Sequence, residues 1–329
     1  MRKVVVRSVS RIHITLIDLH GGLGRVDGGI GFALNEPKIV VNAEPFNRFV
    51  VKGDVEDNIR NSIDKISKYF SLSKNLKIEV KEGYKPHLGL GFATQLCLSS
   101  SFALLKLNSV NASVREVAKI VGRGGTSGIG VACFQHGGFI LDLGHRFGKG
   151  EEKEDFLPSS ASKASPAPIL TRLRFPENWY VILTIPYYGK RIHSLKEVNI
   201  FKKYCPIKER DVEKLSRIIL MKLLPSLIER SIERFGEAID EIQKIGFKRH
   251  EVEIQKKIVK DVMREAKRLG AFCSGLSSFG PTVYSLTNSL KHAKNIANGL
   301  KEMIEEKALG KVIITKGRNK GAEIHLKNE

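Results

Sequence analysis

Long hydrophobic runs and aromatic residues are scarce in this sequence. No run of about 18 apolar residues occurs, which excludes a membrane-spanning helix, and the apolar N-terminal stretch is too short for a signal peptide. Aromatic residues make up 7% of the chain, which leaves few rings on which nucleic-acid bases could stack. The 4 cysteines lie far apart without metal-ligand spacing, so we expect reduced, buried thiols in a cytoplasmic protein.

Negative charge is scarce relative to positive charge. The 55 Lys and Arg residues exceed the 35 Asp and Glu residues, which gives a formal net charge of +20. Such a charge suits nucleic acid, a small polyanionic substrate drawn to its site, or simply a lysine-rich surface. Because the sequence has no basic tail and no zinc finger, it argues against nucleic acid and leaves the small polyanion and the lysine-rich surface open.

The 329 residues are too many for one ordinary core and indicate two domains. Strand and helix periods are mixed along the chain, which predicts an α+β protein. A charged stretch and then a segment rich in Ser, Ala and Pro mark a change of composition near the middle. We therefore predict an N-terminal domain over 1–155 that carries the glycine-rich turns. The second α+β domain would cover 156–329, with 156–170 as a loop or lid.

Local patterns predict the structure around several glycines and prolines. The glycine-rich stretch His20–Gly31 is typical of a loop. The apolar segments Val131–Gln135 and Phe139–Leu143 predict two strands. A long helical region in the second half should break near Pro225 and Gly236.

The strongest local signal is the glycine-rich stretch Pro86–Gln95, between a strand pattern and a helical run. A glycine turn that opens a helix directs several backbone N–H groups to one point, which suits a phosphate; alternatively, it only packs the helix closely on a sheet. Two further Gly/Ser/Thr turns lie at 122–130 and 273–281. Together with a glycine loop that bears Arg25 and Asp27, they favour a polyphosphate site.

These turns follow one another in a distinctive order: a glycine loop near the N-terminus, Pro-x-x-Gly-Leu-Gly, Thr-Ser-Gly, and Gly-Leu-Ser-Ser-Phe-Gly-Pro. The order resembles the GHMP kinase superfamily and, more closely, its archaeal β-ribofuranosylaminobenzene 5′-phosphate synthases. The segments that carry the closer resemblance are 10–18, 24–29, 122–130, 136–138, 156–163 and 274–281. It implies a two-domain fold, with a ribosomal-protein-like α+β domain followed by a ferredoxin-like α+β domain.

Three positions depart from the kinase pattern. Kinases of this superfamily usually place two small hydroxyl residues after Gly-Leu-Gly, where this chain has Phe92 and Ala93. Those that use a catalytic aspartate place it where this chain has Gly130, so the group that deprotonates the attacking hydroxyl is missing. An ATP-dependent small-molecule kinase is therefore the second interpretation. An RNA-binding protein is the third, because of the net charge.

The resemblance implies that phosphoribosyl pyrophosphate condenses with 4-aminobenzoate or 4-hydroxybenzoate, with loss of pyrophosphate and CO₂. The product would be a β-ribofuranosyl-benzene 5′-phosphate used for a tetrahydromethanopterin-type cofactor. Departure of pyrophosphate requires N–H donors, cations and, we expect, Mg²⁺ bound with the substrate. A cationic ribosyl centre favours a nearby carboxylate. A homodimer is also expected from the resemblance.

The chemistry that the resemblance implies suggests a hypothetical role for each candidate site residue. The candidate catalytic residues are Asp18, Asp27, Arg25 and His13, and either aspartate could bind the metal. The candidate phosphate- and substrate-binding residues are Arg11, Gly89, Gly91, Thr94, Gln95, Arg123, Thr126, Ser127, Ser274, Ser277 and Ser278.

Structural alternatives stay open for several of these residues. Arg25 and Asp27 could simply pair with each other, and His13 could be a packed strand residue. Ser277 and Ser278 could only cap a turn. Two cations of a turn in the second half, Lys190 and Arg191, are either surface charges or substrate ligands.

Overall fold

The computed structural model describes residues 2–52, 55–187, 194–307 and 310–328, so Lys190 and Arg191 lie outside the described residues. The strands in chain order are β1 Arg2–Arg7, β2 Ser10–Asp18, β3 Arg25–Leu34, β4 Val40–Pro45, β5 Val50–Lys52, β6 Leu76–Glu82, β7 Phe139–Asp142, β8 His145–Arg146, β9 Ile169–Leu173, β10 Tyr180–Pro186, β11 Cys273–Leu276, β12 Val283–Thr287, β13 Gly310–Lys316 and β14 Glu323–Asn328. The helices are α1 Glu56–Phe70, α2 Phe92–Leu107, α3 Val114–Ile120, α4 Ile129–His136, α5 Ser194–Tyr204, α6 Glu209–Ile218, α7 Leu224–Ile228, α8 Ile232–Ile242, α9 Gly246–Glu253, α10 Lys257–Arg268 and α11 Leu290–Lys307.

The first sheet has the strand order β14-β1-β4-β6-β5. Helix α1 covers it with an apolar stripe in which Ile59, Ile63 and Ile66 recur at helical spacing and are buried. The 16-residue helix α2 is buried over most of its length between this sheet and α4. The glycine turn that opens α2 therefore sits on a rigid support.

The second sheet, β2-β3-β7-β9, corrects two predictions. Most of the predicted loop His20–Gly31 is in fact the buried strand β3, and the predicted strand Val131–Gln135 lies within helix α4. Both errors have one cause. A Cβ atom on Gly31 would lie 2.2 Å from the Ile12 carbonyl oxygen and 2.7 Å from the Ile129 side chain, so glycine in β3 allows α4 to lie against the sheet.

The third sheet is antiparallel, with the order β11-β12-β10-β13 and helices α10 and α11 packed on it. Its elements follow the split βαβ arrangement of a ferredoxin-like domain, and the α+β fold predicted from the sequence is confirmed. Among the helices that the structure describes, none is long and apolar enough to cross a membrane.

The helical region between β10 and β11 differs from its prediction. Pro225 lies in the first turn of α7, which follows a π-helical turn at Ile219–Leu223, so the helical path continues through it. The path breaks instead at Arg230, whose φ is 60°. Gly236 lies inside α8, where a Cβ atom would be 2.4 Å from the Phe272 carbonyl oxygen, so it provides close packing and no break.

Strand pairing does not follow the predicted boundary between residues 155 and 156. The C-terminal strand β14 pairs with β1, and β9 pairs with β7. A single apolar core also joins the two halves. Its centre is Phe175, which stacks on Phe32 of β3 at 4.3 Å between ring centroids and meets the edge of Trp179 at 5.5 Å.

We predict that Phe175→Ala lowers the free energy of unfolding by about 3–5 kcal/mol, because it leaves a cavity between the two halves. Denaturant unfolding measures the change. The matched control is Phe46→Ala, since Phe46 is 42% exposed and its loss should cost less than about 1 kcal/mol. Equal stability of the two variants would contradict a shared core.

Candidate active site

A cleft of about 880 Å³ lies where the first two glycine turns meet β2, α5 and α9. Its lining includes nine of the predicted site residues: Arg11, His13, Gly89, Gly91, Thr94, Arg123, Thr126, Ser127 and Ser278. The third turn closes it through Ser278 and Phe279, and Pro158–Lys163 covers one side. The cleft thus brings together most of the residues that sequence reasoning assigned to one site.

The carbonyl oxygen of Gly89 joins two of the turns to strand β2. It accepts hydrogen bonds from Arg11 Nη1 at 2.5 Å and from Ser277 Oγ at 2.7 Å. Ser277 Oγ also accepts from the His13 backbone N–H at 3.1 Å. A Cβ atom on Gly89 would lie 2.2 Å from the Ser277 carbonyl oxygen, so only glycine allows the turns to approach this closely. Ser277 therefore positions the site without lining it.

The first glycine turn leads directly into the N-terminus of α2, an arrangement typical of anion-binding sites. Gly91, at φ 82°, precedes the helix, and no side chain caps the first turn among the described residues. The segment from Gly91 to Thr94 lines the cleft, so the first N–H groups and the positive end of the helix dipole face it. Gln95 is buried behind this turn, where its Nε2 donates to the Gly130 carbonyl oxygen at 2.8 Å.

The lining of the cleft also carries three cations, Lys65, Lys119 and Arg123. Lys65 lies beside the second glycine turn, since a Cβ atom on Gly122 would be 3.8 Å from its Nζ. Arg123 Nε is buried and has no hydrogen-bond partner among the described residues. A buried donor without a partner is costly, so this guanidinium is suited to an anionic ligand.

The second glycine turn is held by Asp142. Its carboxylate accepts from the N–H of Gly128 at 2.9 Å and from the N–H of Gly144 at 3.0 Å. Burial raises the pKa of Asp142 to about 7, against the lowering effect of these hydrogen bonds. Asp142 thus supports the start of α4 from behind, while Thr126 and Ser127 face the cleft.

The predicted loop or lid is fastened over this second turn. Thr126 Oγ1 donates to the Leu157 carbonyl oxygen at 2.6 Å, and Ser162 Oγ donates to the Gly125 carbonyl oxygen at 2.5 Å. Behind it, the ammonium group of Lys153 lies 2.9 Å from the carboxylate of Asp27 and is almost fully buried. The segment therefore has a defined place as one wall of the cleft.

The end of the cleft next to α5 and α9 has a different character. It combines two carboxylates, Glu197 and Glu251, with the rings of Phe201 and Phe279. Glu251 forms a buried ion pair with Lys248, which also donates to the Leu276 carbonyl oxygen at 3.3 Å. Burial raises the pKa of Glu251, and the nearby Lys248 opposes this. Burial also raises the pKa of Glu197 to about 7, and the charge of Glu251 adds to the effect.

His13 lies at this end of the cleft and is only 5% exposed. Neither of its ring nitrogens has a hydrogen-bond partner among the described residues. Burial holds its pKa well below the ordinary value, and the charges of Arg11 and Lys248 act in the same direction. A neutral imidazole with two unsatisfied nitrogens is thus available to a ligand.

The structure does not bring the other predicted residues to the cleft lining. Asp18 accepts from the backbone N–H of His20 at 2.7 Å, and Arg25 donates to the Leu143 carbonyl oxygen at 2.8 Å on another surface. Asp27 is fully buried against Lys153 and His145, so the predicted alternative of an Arg25–Asp27 pair is also not what the structure has. Ser274 is buried in β11, where its N–H donates to Asp240.

The candidate metal ligands do not fit a magnesium ion in this cleft. Asp18 and Asp27 lie outside its lining, and the Asp27 carboxylate is occupied by Lys153 and His145. Among the described residues, no group of three His, Cys, Asp or Glu side chains is placed to hold a metal ion.

Sequence reasoning missed Glu197, Glu251 and Lys248. All three lie on amphipathic helices, where a single charge is typical of a solvated face. The one available signal was the spacing of Lys248 and Glu251, which places them on the same side of a helix but does not show that this side is buried.

Known proteins resemble this chain over its whole length. The protein named beta-ribofuranosylphenol 5′-phosphate synthase from Archaeoglobus fulgidus is 44% identical, over 98% of this chain and 99% of its own. The protein of the same name from Methanothermobacter thermautotrophicus is 43% identical, over 97% and 98%. Residues 223–306 match the family described as GHMP kinases C terminal. The crystal structure of Streptococcus pneumoniae phosphomevalonate kinase shares the fold, with a TM-score of 0.72 and 11% identity over 97% of this chain and 100% of that one.

We predict that Gly89→Ala abolishes stabilisation by inorganic pyrophosphate, because the new Cβ atom would push Ser277 and the turn before α2 apart. Thermal unfolding with and without pyrophosphate measures this, since a ligand of the folded state raises the melting temperature. Gly150→Ala is the matched control: Gly150 has a similar φ of 80°, but a Cβ atom there meets nothing within 4 Å. Retention of the full pyrophosphate shift by Gly89→Ala would contradict this role for the turn.

Proposed function

Because this chain belongs to the family of the β-ribofuranosylphenol 5′-phosphate synthases, which are enzymes of the pentosyltransferase type, we propose that it condenses phosphoribosyl pyrophosphate with an aromatic acid. Pyrophosphate and CO₂ leave, and a β-ribofuranosyl-benzene 5′-phosphate forms. The product would enter the synthesis of a tetrahydromethanopterin-type cofactor. A homodimer and a cytoplasmic location stay predictions.

One observation carries the proposal: the cleft has a glycine turn at a helix start, which suits an anion, but it has glycine where a kinase would need its carboxylate. Gly130 lies beside Thr94, since a Cβ atom on Gly130 would be 3.4 Å from the Thr94 methyl group. This position faces the start of α2 and lines the cleft. Within the part of the chain that the structure describes, no carboxylate therefore lies at the point where a kinase would activate an attacking hydroxyl.

The charge distribution supports the departure of pyrophosphate at the α2 end. Negative charge develops on the leaving group as the bond to the anomeric carbon breaks. The N–H groups before Thr94, together with Lys65, Lys119 and Arg123, would stabilise that charge. Mg²⁺ would then arrive bound to the substrate, because the candidate carboxylates do not fit it.

The relatives favour one of the two aromatic acids. Their names specify a ribofuranosylphenol, whose ring carries a hydroxyl group. We therefore propose 4-hydroxybenzoate as the preferred acceptor and 4-aminobenzoate as a second one. The rings of Phe201 and Phe279 supply the apolar walls that an aromatic acid requires.

A kinase of the same fold is the competing function, favoured by the fold likeness to phosphomevalonate kinase. ADP formation from ATP that depends on a small alcohol substrate would support it. RNA binding has only the net charge of +20 in its favour, and steeply salt-dependent filter binding would support it.

We predict that the purified protein releases pyrophosphate and CO₂ in equal amounts from phosphoribosyl pyrophosphate and 4-hydroxybenzoate. Carboxyl-labelled acid and a pyrophosphate-coupled assay measure the two products together. Benzoate, which lacks the activating hydroxyl group, serves as the control and should release neither. Failure to release CO₂ with both 4-hydroxybenzoate and 4-aminobenzoate would overturn the proposed function.

A further inference from the structure

Two carboxylates in the cleft have no part in binding a pyrophosphate. Glu197 and Glu251 would repel a polyanion, yet both line the same cleft as the glycine turns. They lie next to α5 and α9, at the end lined by the rings of Phe201 and Phe279. Their position therefore suits the acceptor and not the phosphates.

Glu197 is placed to meet a ring held in this part of the cleft. It precedes Phe201 by four residues on α5, so the two side chains lie on the same face of the helix. Glu197 is half-buried and has no salt bridge to a described residue. Glu251, in contrast, is committed to its buried ion pair with Lys248.

We propose that Glu197 is a catalytic base that takes the proton from the para-hydroxyl group of the aromatic acid. This role rests on the proposed function and adds a residue to it. The ring carbon that bears the carboxylate is the nucleophile, and it lies opposite the hydroxyl group. A ring whose hydroxyl group has lost its proton donates more electron density to that carbon.

The step balances without a further reactant. As the hydroxyl proton moves to Glu197, the ring carbon forms a bond to the anomeric carbon, and the bond from that carbon to pyrophosphate breaks. The bond between the ring and its carboxylate then breaks, CO₂ leaves, and the electron pair restores the aromatic ring as a phenolate. Glu197 returns the proton to the phenolate oxygen.

The charged groups that face Glu197 suit a base at neutral pH. Glu251 approaches from α9 and favours its protonated form, whereas Arg11 approaches from β2 and favours its ionised form. Lys248 and the neutral His13 lie beyond these two. Burial, more than these charges, raises the pKa of Glu197 to about 7, which lets it accept a proton and return it in one turnover. Because the base must begin ionised, activity should fall as the pH drops below about 7.

The test is Glu197→Gln, assayed with three acceptors. With 4-hydroxybenzoate we expect kcat to fall by about 10²-fold or more, with the KM for phosphoribosyl pyrophosphate unchanged. With 3,5-difluoro-4-hydroxybenzoate, whose hydroxyl group is already ionised at neutral pH, most of the rate should return. With 4-aminobenzoate the loss should be smaller, because an amino group activates the ring without losing a proton.

The controls separate this inference from the proposed function. Glu213→Gln removes an exposed carboxylate from α6 and should leave all three rates unchanged. Glu197→Asp keeps a base and should restore the acid limb of the pH profile that Glu197→Gln removes. Equal losses with the two phenols, or an unchanged rate with 4-hydroxybenzoate, would overturn the role of Glu197 while the wild-type activity stands. An inactive wild-type protein would overturn the proposed function itself.

Discussion

Two side chains donate to the carbonyl oxygen of Gly89: Arg11 from strand β2 and Ser277 from the turn after β11. Gly89 belongs to the first sheet's side of the molecule, and Ser277 belongs to the ferredoxin-like part. The contact therefore fixes the start of α2 relative to both. Since an anion site depends on N–H groups held in one direction, the rigidity of this junction determines whether the cleft can bind a polyanion at all.

Burying charged groups near this junction costs free energy, and packing alone does not explain why they are there. Arg11, Lys248 and Glu251 are all at or below the cleft surface, and burial lowers the pKa of Lys248 while raising that of Glu251. An apolar set of the same volume is often as stable as a buried ion pair. The pair is better explained by where it holds one carboxylate: it keeps Glu251 in the cleft lining beside Glu197, while the cations Lys65 and Arg123 line the same cleft.

The sequence predicted the α+β class and the residues of the turns because both depend on local patterns. Glycine before a helix start, as at Gly91, has a direct physical meaning that needs no tertiary information. Val131–Gln135 was wrongly predicted as a strand because its apolar residues fit a strand and a buried helix equally well. Only the tertiary contact between Gly31 and Ile129 favours the helix. Glu197 was missed because no local pattern shows that an amphipathic helix will direct one of its charged side chains into a cleft.

Under the proposed function, the positions of Gly130 and Glu197 explain how one fold could serve two reactions. A kinase needs its carboxylate beside the phosphates, because the hydroxyl it activates attacks phosphorus. In attack on the anomeric carbon, the hydroxyl group to be deprotonated lies one aromatic ring beyond the carbon that carries the pyrophosphate, so a base beside Thr94 would have nothing to deprotonate. In this chain the position beside Thr94 is glycine, and the carboxylate that can hold a proton near neutral pH lies at the other end of the cleft. On this proposal the helix start that suits an anion is the part of the fold that both reactions share, and the place of the carboxylate is what distinguishes them.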